Sequence, residues 1–147
     1  MPTLYIMIGI PGSGKTTYAK KNLHEAVYIG TDAIRKKLYG KEMTIRGWRK
    51  IRRMVPKLAA CHLRKGKDVV VDCTNITVRN RKRYFRMLPK DTSVVAVFLD
   101  TPVQNAIENN RKRARRVPVP GIVYKYLCIQ HPSLMEGFAE IRRIRFN

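Results

Sequence analysis

A glycine-rich segment near the start of the chain has the residue types and spacing of a phosphate-binding loop. The pattern G-x-x-x-x-G-K-[ST] is met by GIPGSGKT at residues 9–16. Glycine lets backbone N–H groups approach phosphate oxygens without a Cβ clash, and a following helix N-terminus adds positive potential. Lys15 is expected to reach the β- and γ-phosphates of ATP or another nucleoside triphosphate, and the Thr16 hydroxyl is expected to bind Mg²⁺. The predicted nucleotide-binding residues are Gly9, Pro11, Gly12, Ser13, Gly14, Lys15, Thr16 and Thr17.

The segments on both sides of this loop support the interpretation. Leu4–Ile8 is a short apolar run that predicts a buried strand, and Thr17–Leu23 predicts the beginning of a helix. A chance glycine-rich turn is the alternative, and the strand and the helix together favour phosphate binding.

A carboxylate and a guanidinium follow the next apolar run, Val27–Ile29. Asp32 falls where a helix is predicted to begin, and Arg35 projects from the same side of its first turn. A carboxylate can accept the proton of an attacking hydroxyl, while a guanidinium can hold an anionic part of the acceptor. The pair therefore suits phosphoryl transfer to a hydroxyl. A helix cap at Thr31 or Asp32, or a surface ion pair, fits the same spacing.

A second carboxylate ends the apolar run Val69–Val71. Asp72 at this place is expected to lie near the Mg²⁺ shell, where it would orient metal-bound water or the Thr16 hydroxyl. The alternative is a helix cap, shared with residues 74, 75 and 77.

The chain is strongly basic, with 31 Lys and Arg against 10 Asp and Glu and a net charge of +21. The cations are concentrated in three clusters at residues 46–67, 79–86 and 111–116. Such an excess repels itself, and a polyanionic partner relieves that repulsion and releases counterions. A solvated basic surface is the alternative, and nucleic acid is the predicted partner.

Apolar runs and helical patterns alternate along all 147 residues, as expected of a single domain. Continuous apolar runs such as Val94–Leu99 predict strands covered on both faces, so the predicted fold is an α/β P-loop NTPase-type open, mostly parallel sheet flanked by helices. A helix with apolar spacing over 45–63 is expected to kink or break at Pro56. Residues 138–145 fit either a last helix or an edge strand, and residues 111–116 are predicted to form an Arg-rich lid.

Three well-separated cysteines favour reduced thiols and a cytoplasmic location. No window approaches the roughly 20 apolar residues that a membrane span needs, so no membrane association is expected. Aromatic residues such as Trp48 lie among the cations in the sequence. Their side chains could stack on bases, and the alternative, which is the more common role, is packing in the core.

Taken together, these motifs resemble the phosphate-loop kinases of the polynucleotide 5′-hydroxyl kinase type. The resemblance rests on GIPGSGKT, Thr31-Asp32-x-x-Arg35, VDCTN at 71–75 and the Arg-rich segment that ends at Val117-Pro118, and it covers nearly the whole chain in order. It implies ATP-dependent transfer of the γ-phosphate to 5′-hydroxyl ends of DNA or RNA. It also implies that Asp32 is the general base and that Arg35 contacts the phosphate next to the acceptor nucleoside. Lys15 and Thr16 would hold ATP and Mg²⁺, Asp72 would support the site, and Arg113 would contact the nucleotide phosphates.

The chain departs from this family at Asn109, where a second lid arginine is expected, although Arg111 or Arg115 could substitute for it. It also has no D-x-D-x-T phosphatase motif. Two other functions remain open. A kinase for a small metabolite or nucleoside could use the same Asp32 and Arg35 pair. A nucleic-acid remodelling protein that hydrolyses ATP would normally carry Glu after Asp72, where this chain has Cys73.

Overall fold

The computed structural model describes residues 1–40, 47–114 and 116–145, and its centre is one sheet of parallel strands. The strands are β1 (Thr3–Ile8), β2 (Val27–Gly30), β3 (Val69–Asp72), β4 (Ser93–Asp100) and β5 (Glu140–Arg145), in the order β2-β3-β1-β4-β5. Every pair of neighbouring strands in this sheet is parallel. The P-loop NTPase-type α/β fold predicted from the sequence is therefore confirmed.

Helices cover both faces of the sheet. They are α1 (Lys15–Asn22), α2 (Thr31–Tyr39), α3 (Trp48–Arg64), α4 (Val78–Phe85), α5 (Val103–Arg111) and α6 (Val119–Cys128). A short 3₁₀-helix, Leu134–Glu136, precedes β5. Within the described residues, no helix is long and apolar enough to cross a membrane.

Strand β4 shows why its sequence is continuously apolar. Val94, Ala96 and Phe98 pack into a core with α3, whereas Val95 and Val97 pack into a second core on the opposite face with α1. Successive side chains of a strand point to opposite faces, so a strand covered twice needs apolar residues at every position.

Helix α3 differs from the sequence-based prediction because it continues through Pro56 from Trp48 to Arg64. The break predicted there is wrong. The Pro56 ring is buried beside Val55, and Ile51, Ala59 and Leu63 repeat on the same core-facing side, so packing holds the helix across the missing N–H. Residues 45 and 46 of the predicted helix and basic cluster lie outside the described residues.

The ambiguous segment 138–145 forms the edge strand β5 rather than a last helix. Phe138 packs into the core just before the strand, and Ile141 is half-buried against β4. Arg143 and Arg145 occupy exposed positions of the strand, and Arg142 is half-buried.

A buried ion pair fixes the segment that follows β3. Arg81 is fully buried on α4 and donates to both carboxylate oxygens of Glu136, at 2.8 and 3.1 Å. Its Nη1 also donates to the Asn75 carbonyl at 2.8 Å, while the Asn75 side-chain amide donates to the Met7 carbonyl at 2.9 Å. Arg81 therefore connects the 3₁₀-helix to the chain immediately after Asp72.

Replacing Glu136 with Ala is expected to lower the free energy of unfolding by about 3–5 kcal/mol, because it leaves the buried Arg81 charge without a counterion. Urea denaturation measures the loss. The control is Glu140→Ala, which removes the exposed partner of Arg142 and is expected to cost less than about 1 kcal/mol. Equal losses in the two variants would show that burial adds nothing to the Arg81–Glu136 pair.

Candidate functional site

The glycine-rich loop follows the carboxyl end of β1. This strand is at the centre of the sheet, with β3 on one side and β4 on the other. Gly12 and Gly14 have φ values of +82° and +96°, a region that side chains with a Cβ rarely adopt. Gly14 is also the N-cap of α1, and no side chain caps the first turn of this helix. The first N–H groups of α1 are therefore available to an anion.

Helix α5 and the preceding residues hold this loop from outside. The Asn109 side-chain amide donates to the Gly12 carbonyl at 3.0 Å, and the Thr101 hydroxyl donates to the Ser13 carbonyl at 2.9 Å. A Cβ on Gly12 would lie 2.2 Å from the backbone oxygen of Ala106. The loop is therefore preorganised by direct backbone packing as well as by its own sequence.

The Lys15 ammonium lies across the loop and donates to the Ile10 carbonyl at 3.2 Å. Burial lowers the pKa of Lys15, and the charge of Asp72 acts in the opposite direction. A phosphate group at this place would stabilise the charged form, because an opposite charge in a desolvated site favours it.

Asp72, the last residue of β3, joins the loop helix to β2. Its Oδ2 accepts a hydrogen bond from the Thr16 hydroxyl at 2.6 Å and another from the Tyr28 hydroxyl. A carboxylate beside a hydroxyl is the kind of hard oxygen donor set that Mg²⁺ prefers. The alternative role as a helix cap does not apply to Asp72, because the Thr77 hydroxyl accepts from the Asn80 N–H and caps α4.

Tyr28 belongs to this site, although the sequence analysis did not identify it. Its ring lies over Gly30, where a Cβ would come within 2.8 Å of the ring carbons. Burial and the neighbouring Asp72 charge raise the pKa of Tyr28, so its hydroxyl remains a donor at neutral pH. The available sequence signal was an aromatic residue two positions before a glycine, which places both on one face of the strand.

Asp32 and Arg35 lie in the first turns of α2. Arg35 Nη1 is 3.3 Å from Asp32 Oδ1, and the Arg35 guanidinium stacks over the Trp48 ring, 4.6 Å from its centroid. Gly30 is the N-cap of α2, and no side chain caps this helix, so the proposed cap at residue 31 or 32 is not formed. Asp32 and Arg35 therefore form an ion pair, and both side chains also line the cleft beside the phosphate loop.

A cleft of about 1800 Å³ brings these residues to one place. Among the described residues, seven cationic side chains and three carboxylates line it. The cations come from the loop, α1, α2, α6 and the segment after α5, so the cleft has an excess of positive charge. The cationic side chains are Lys15, Lys20, Lys21, Arg35, Lys36, Arg113 and Lys125, and the carboxylates are Asp32, Asp72 and Glu108.

The predicted lid, residues 111–116, begins at the last residue of α5, and two hydrogen bonds join the residues that flank it. The buried Asn110 side chain donates to the Val117 carbonyl at 2.8 Å and accepts from the Val117 N–H at 2.9 Å. Arg113 is half-buried and lines the cleft, whereas Arg111 is exposed beside Glu108. Arg115 of the predicted lid lies outside the described residues. The chemical role assigned to Arg113 stays a prediction.

Replacing Gly12 with Ala is expected to lower the free energy of unfolding by about 3 kcal/mol or more, since strain at positive φ and overpacking against Ala106 add together. The matched control is Gly66→Ala. Gly66 has a φ of +79°, and a Cβ there meets nothing within 4 Å, so only the strain of about 1–2 kcal/mol is expected. Similar losses in urea denaturation would contradict the close contact between the loop and α5.

Replacing Tyr28 with Phe removes one of the two hydroxyl donors to Asp72. The expected loss of unfolding free energy is about 1.5–2 kcal/mol, the lower part of the range for a hydrogen bond to a charged group. Tyr126→Phe is the control, because Tyr126 is similarly exposed and makes no hydrogen bond within the described part of the chain. A loss no larger than that of the control would indicate that the Tyr28 hydroxyl contributes nothing to the fold.

Known proteins resemble this chain in sequence and in fold. Residues 4–125 match the protein family described as AAA domain. A chain of the Pnkp1/Rnl/Hen1 RNA repair complex superposes with a TM-score of 0.75 at 22% identity, covering 86% of this chain. This chain spans only 43% of that protein's length.

Two sugar-kinase structures match almost the whole chain. A sugar kinase from Janibacter sp. HTCC2649 gives a TM-score of 0.69 at 19% identity, covering 99% of this chain and 84% of that one. A gluconokinase from Sinorhizobium meliloti 1021 gives 0.67 at 18% identity, covering 98% and 82%. At these identities the likeness shows the fold and leaves the substrate undetermined. The chain belongs to the AAA domain family and has the nucleotide-binding α/β fold of the P-loop kinases.

Proposed function

We propose that this chain is an ATP-dependent polynucleotide 5′-hydroxyl kinase, which transfers the γ-phosphate to 5′-hydroxyl ends of DNA or RNA. The observation that carries the proposal is the placement of Asp32 and Arg35 in the same cleft as Lys15, Thr16 and Arg113. A phosphate-binding loop, a carboxylate and a guanidinium at one cleft provide what phosphoryl transfer to an alcohol requires.

The loop side of the cleft would hold the donor. The N–H groups of residues 9–17 and the Lys15 ammonium would bind the triphosphate, and Arg113 would neutralise charge on the phosphates. The Thr16 hydroxyl and the Asp72 carboxylate would hold Mg²⁺. When bound, this ion supplies positive charge to the phosphate oxygens. Tyr28 would keep Asp72 in place by its hydrogen bond.

The α2 side would hold the acceptor. The acceptor 5′-oxygen attacks the γ-phosphorus, the bond from this phosphorus to the β–γ bridging oxygen breaks, and ADP leaves. The hydroxyl proton passes to the Asp32 carboxylate, which acts as general base. Arg35 would bind the phosphate next to the acceptor nucleoside, and its stacking on Trp48 restricts the guanidinium to a narrow range of positions.

A kinase for a small metabolite is the second candidate, since the sugar kinase and gluconokinase structures match a larger share of their own lengths than the RNA repair protein does. The charge favours the polynucleotide. A metabolite needs a few cations in one pocket, whereas basic residues here also cover exposed positions of α3 and α4, including Arg49, Arg53, Arg79 and Lys82. One of the matching structures belongs to an RNA repair complex, and a polynucleotide acceptor agrees with that name.

The proposal includes residues 1–147 as a single P-loop kinase domain, because the described strands form one sheet with helices on both sides. A cytoplasmic location, expected from the three cysteines, belongs to the same proposal.

Replacing Asp32 with Asn is expected to lower kcat by about 100- to 10,000-fold, since general-base catalysis contributes rate factors of this size. ATP affinity is expected to remain unchanged, because the substitution keeps the shape of the side chain and lies outside the phosphate loop. Labelled ATP and 5′-hydroxyl oligonucleotides measure the first quantity, and calorimetry measures the second.

Asp91→Asn provides the control, because Asp91 is exposed and Asn tolerates its φ of +62°. This variant should retain full activity. Label that passes only to water or only to a sugar in the unmodified protein would refute the polynucleotide kinase proposal, and full activity in Asp32→Asn would remove Asp32 from the mechanism.

A further inference from the structure

A small second cavity lies beside the main cleft, between α3 and α4. Its volume is about 50 Å³, whereas a cavity of roughly 10–15 Å³ already holds one water. Four residues, Thr31, Trp48, Cys73 and Thr74, line both the cavity and the cleft. The cavity therefore continues from the part of the cleft where α2 carries Asp32 and Arg35, and it has room for a phosphate group but not for a nucleoside.

Two half-buried arginines line this cavity from opposite helices, Arg52 on α3 and Arg83 on α4. Neither makes an ion pair or a side-chain hydrogen bond with any residue of the described chain. Carboxylates are absent from the cavity lining within the same residues, and Asn80 and Thr74 add neutral polar groups. A partly desolvated pair of guanidinium groups without a counterion favours binding of an external anion.

Trp48 lines both this cavity and the α2 side of the cleft. One contact of its ring is the Arg35 guanidinium at 4.6 Å, and 38% of the residue remains exposed to solvent. An exposed indole between cationic side chains is a suitable surface for stacking a nucleic-acid base. The order of groups leading away from Asp32 is therefore a guanidinium, an indole and two further guanidinium groups.

We propose that Arg52 and Arg83 form a subsite for the second phosphodiester of the acceptor strand, with the base between the two phosphates stacked on Trp48. The inference rests on the proposed polynucleotide kinase function and makes it more specific. An acceptor needs at least two phosphates to occupy both Arg35 and this subsite, so the enzyme selects strands over nucleoside 3′-monophosphates.

Three acceptors with free 5′-hydroxyl groups test the subsite: a nucleoside 3′-monophosphate, a dinucleotide with a 3′-phosphate and a hexanucleotide. The KM of the dinucleotide should be at least tenfold below that of the monophosphate. In the double variant Arg52→Ala/Arg83→Ala this advantage is expected to vanish, while kcat, the KM of the monophosphate and the KM of ATP stay within about twofold, since these depend on other contacts.

Lys37→Ala/Lys90→Ala is the matched control. It removes the same amount of positive charge at exposed positions that lie outside the three basic clusters and line neither the cavity nor the cleft. A general effect of net charge would raise the KM of the longer acceptors equally in both double variants, and that result would overturn the subsite. Thermal unfolding of the two variants checks that both are folded.

Trp48 is the only tryptophan of the chain, so its fluorescence reports on the subsite without any reaction. The dinucleotide should quench this fluorescence strongly, the monophosphate only weakly, and the quenching affinity should fall at least tenfold in Arg52→Ala/Arg83→Ala. Quenching that is the same for both acceptors, or unchanged in this variant, would overturn the subsite. If phosphate is transferred to none of the three acceptors, the proposed function is refuted. The fluorescence titration then tests the subsite independently of that function.

Discussion

The site depends on a single carboxylate oxygen. Asp72 Oδ2 accepts hydrogen bonds from hydroxyl groups of α1 and β2, so one atom of β3 connects two elements whose hydroxyl-bearing residues lie 56 and 44 positions earlier in the chain. The sheet order makes this possible, because β3 lies between β1 and β2 and its last residue is in register with Met7 on one side and Gly30 on the other. A change in the register of any of these strands would separate the Thr16 and Tyr28 hydroxyls.

The surrounding structure keeps that carboxylate where it is. Asn75 is bound to β1 through the Met7 carbonyl and to α4 through Arg81, so the chain cannot move away from β1 after β3 ends. On the other side of the loop, α5 fixes Gly12 through Asn109. The phosphate-loop side of the cleft is therefore held by backbone packing and side-chain hydrogen bonds, whereas the cations proposed to bind the acceptor, such as Arg35 and Arg52, lie at half-buried positions of α2 and α3.

The sequence was sufficient for those features that depend on local pattern. Apolar runs located β1 to β4, and the glycine-rich loop, Asp32, Arg35 and Asp72 were all identified and lie at one cleft. Features that depend on tertiary packing were not predictable in the same way. Pro56 was expected to kink or break α3, and the break does not occur, because burial of Ile51, Val55 and Ala59 in the core holds the helix across the missing hydrogen bond. Tyr28 was missed because only the folded sheet brings its hydroxyl to a carboxylate 44 residues away.

The exposed edge of the sheet has a consequence for the behaviour of the protein in concentrated solution. Within the described residues β5 pairs with β4 alone, so its other row of backbone N–H and C=O groups is a template for a strand from another molecule. Three of its six residues are arginines and one is a glutamate, so the strand keeps a net positive charge that repels a second copy approaching edge to edge. The same guanidinium groups that give the chain its basic surface thus protect this edge against aggregation.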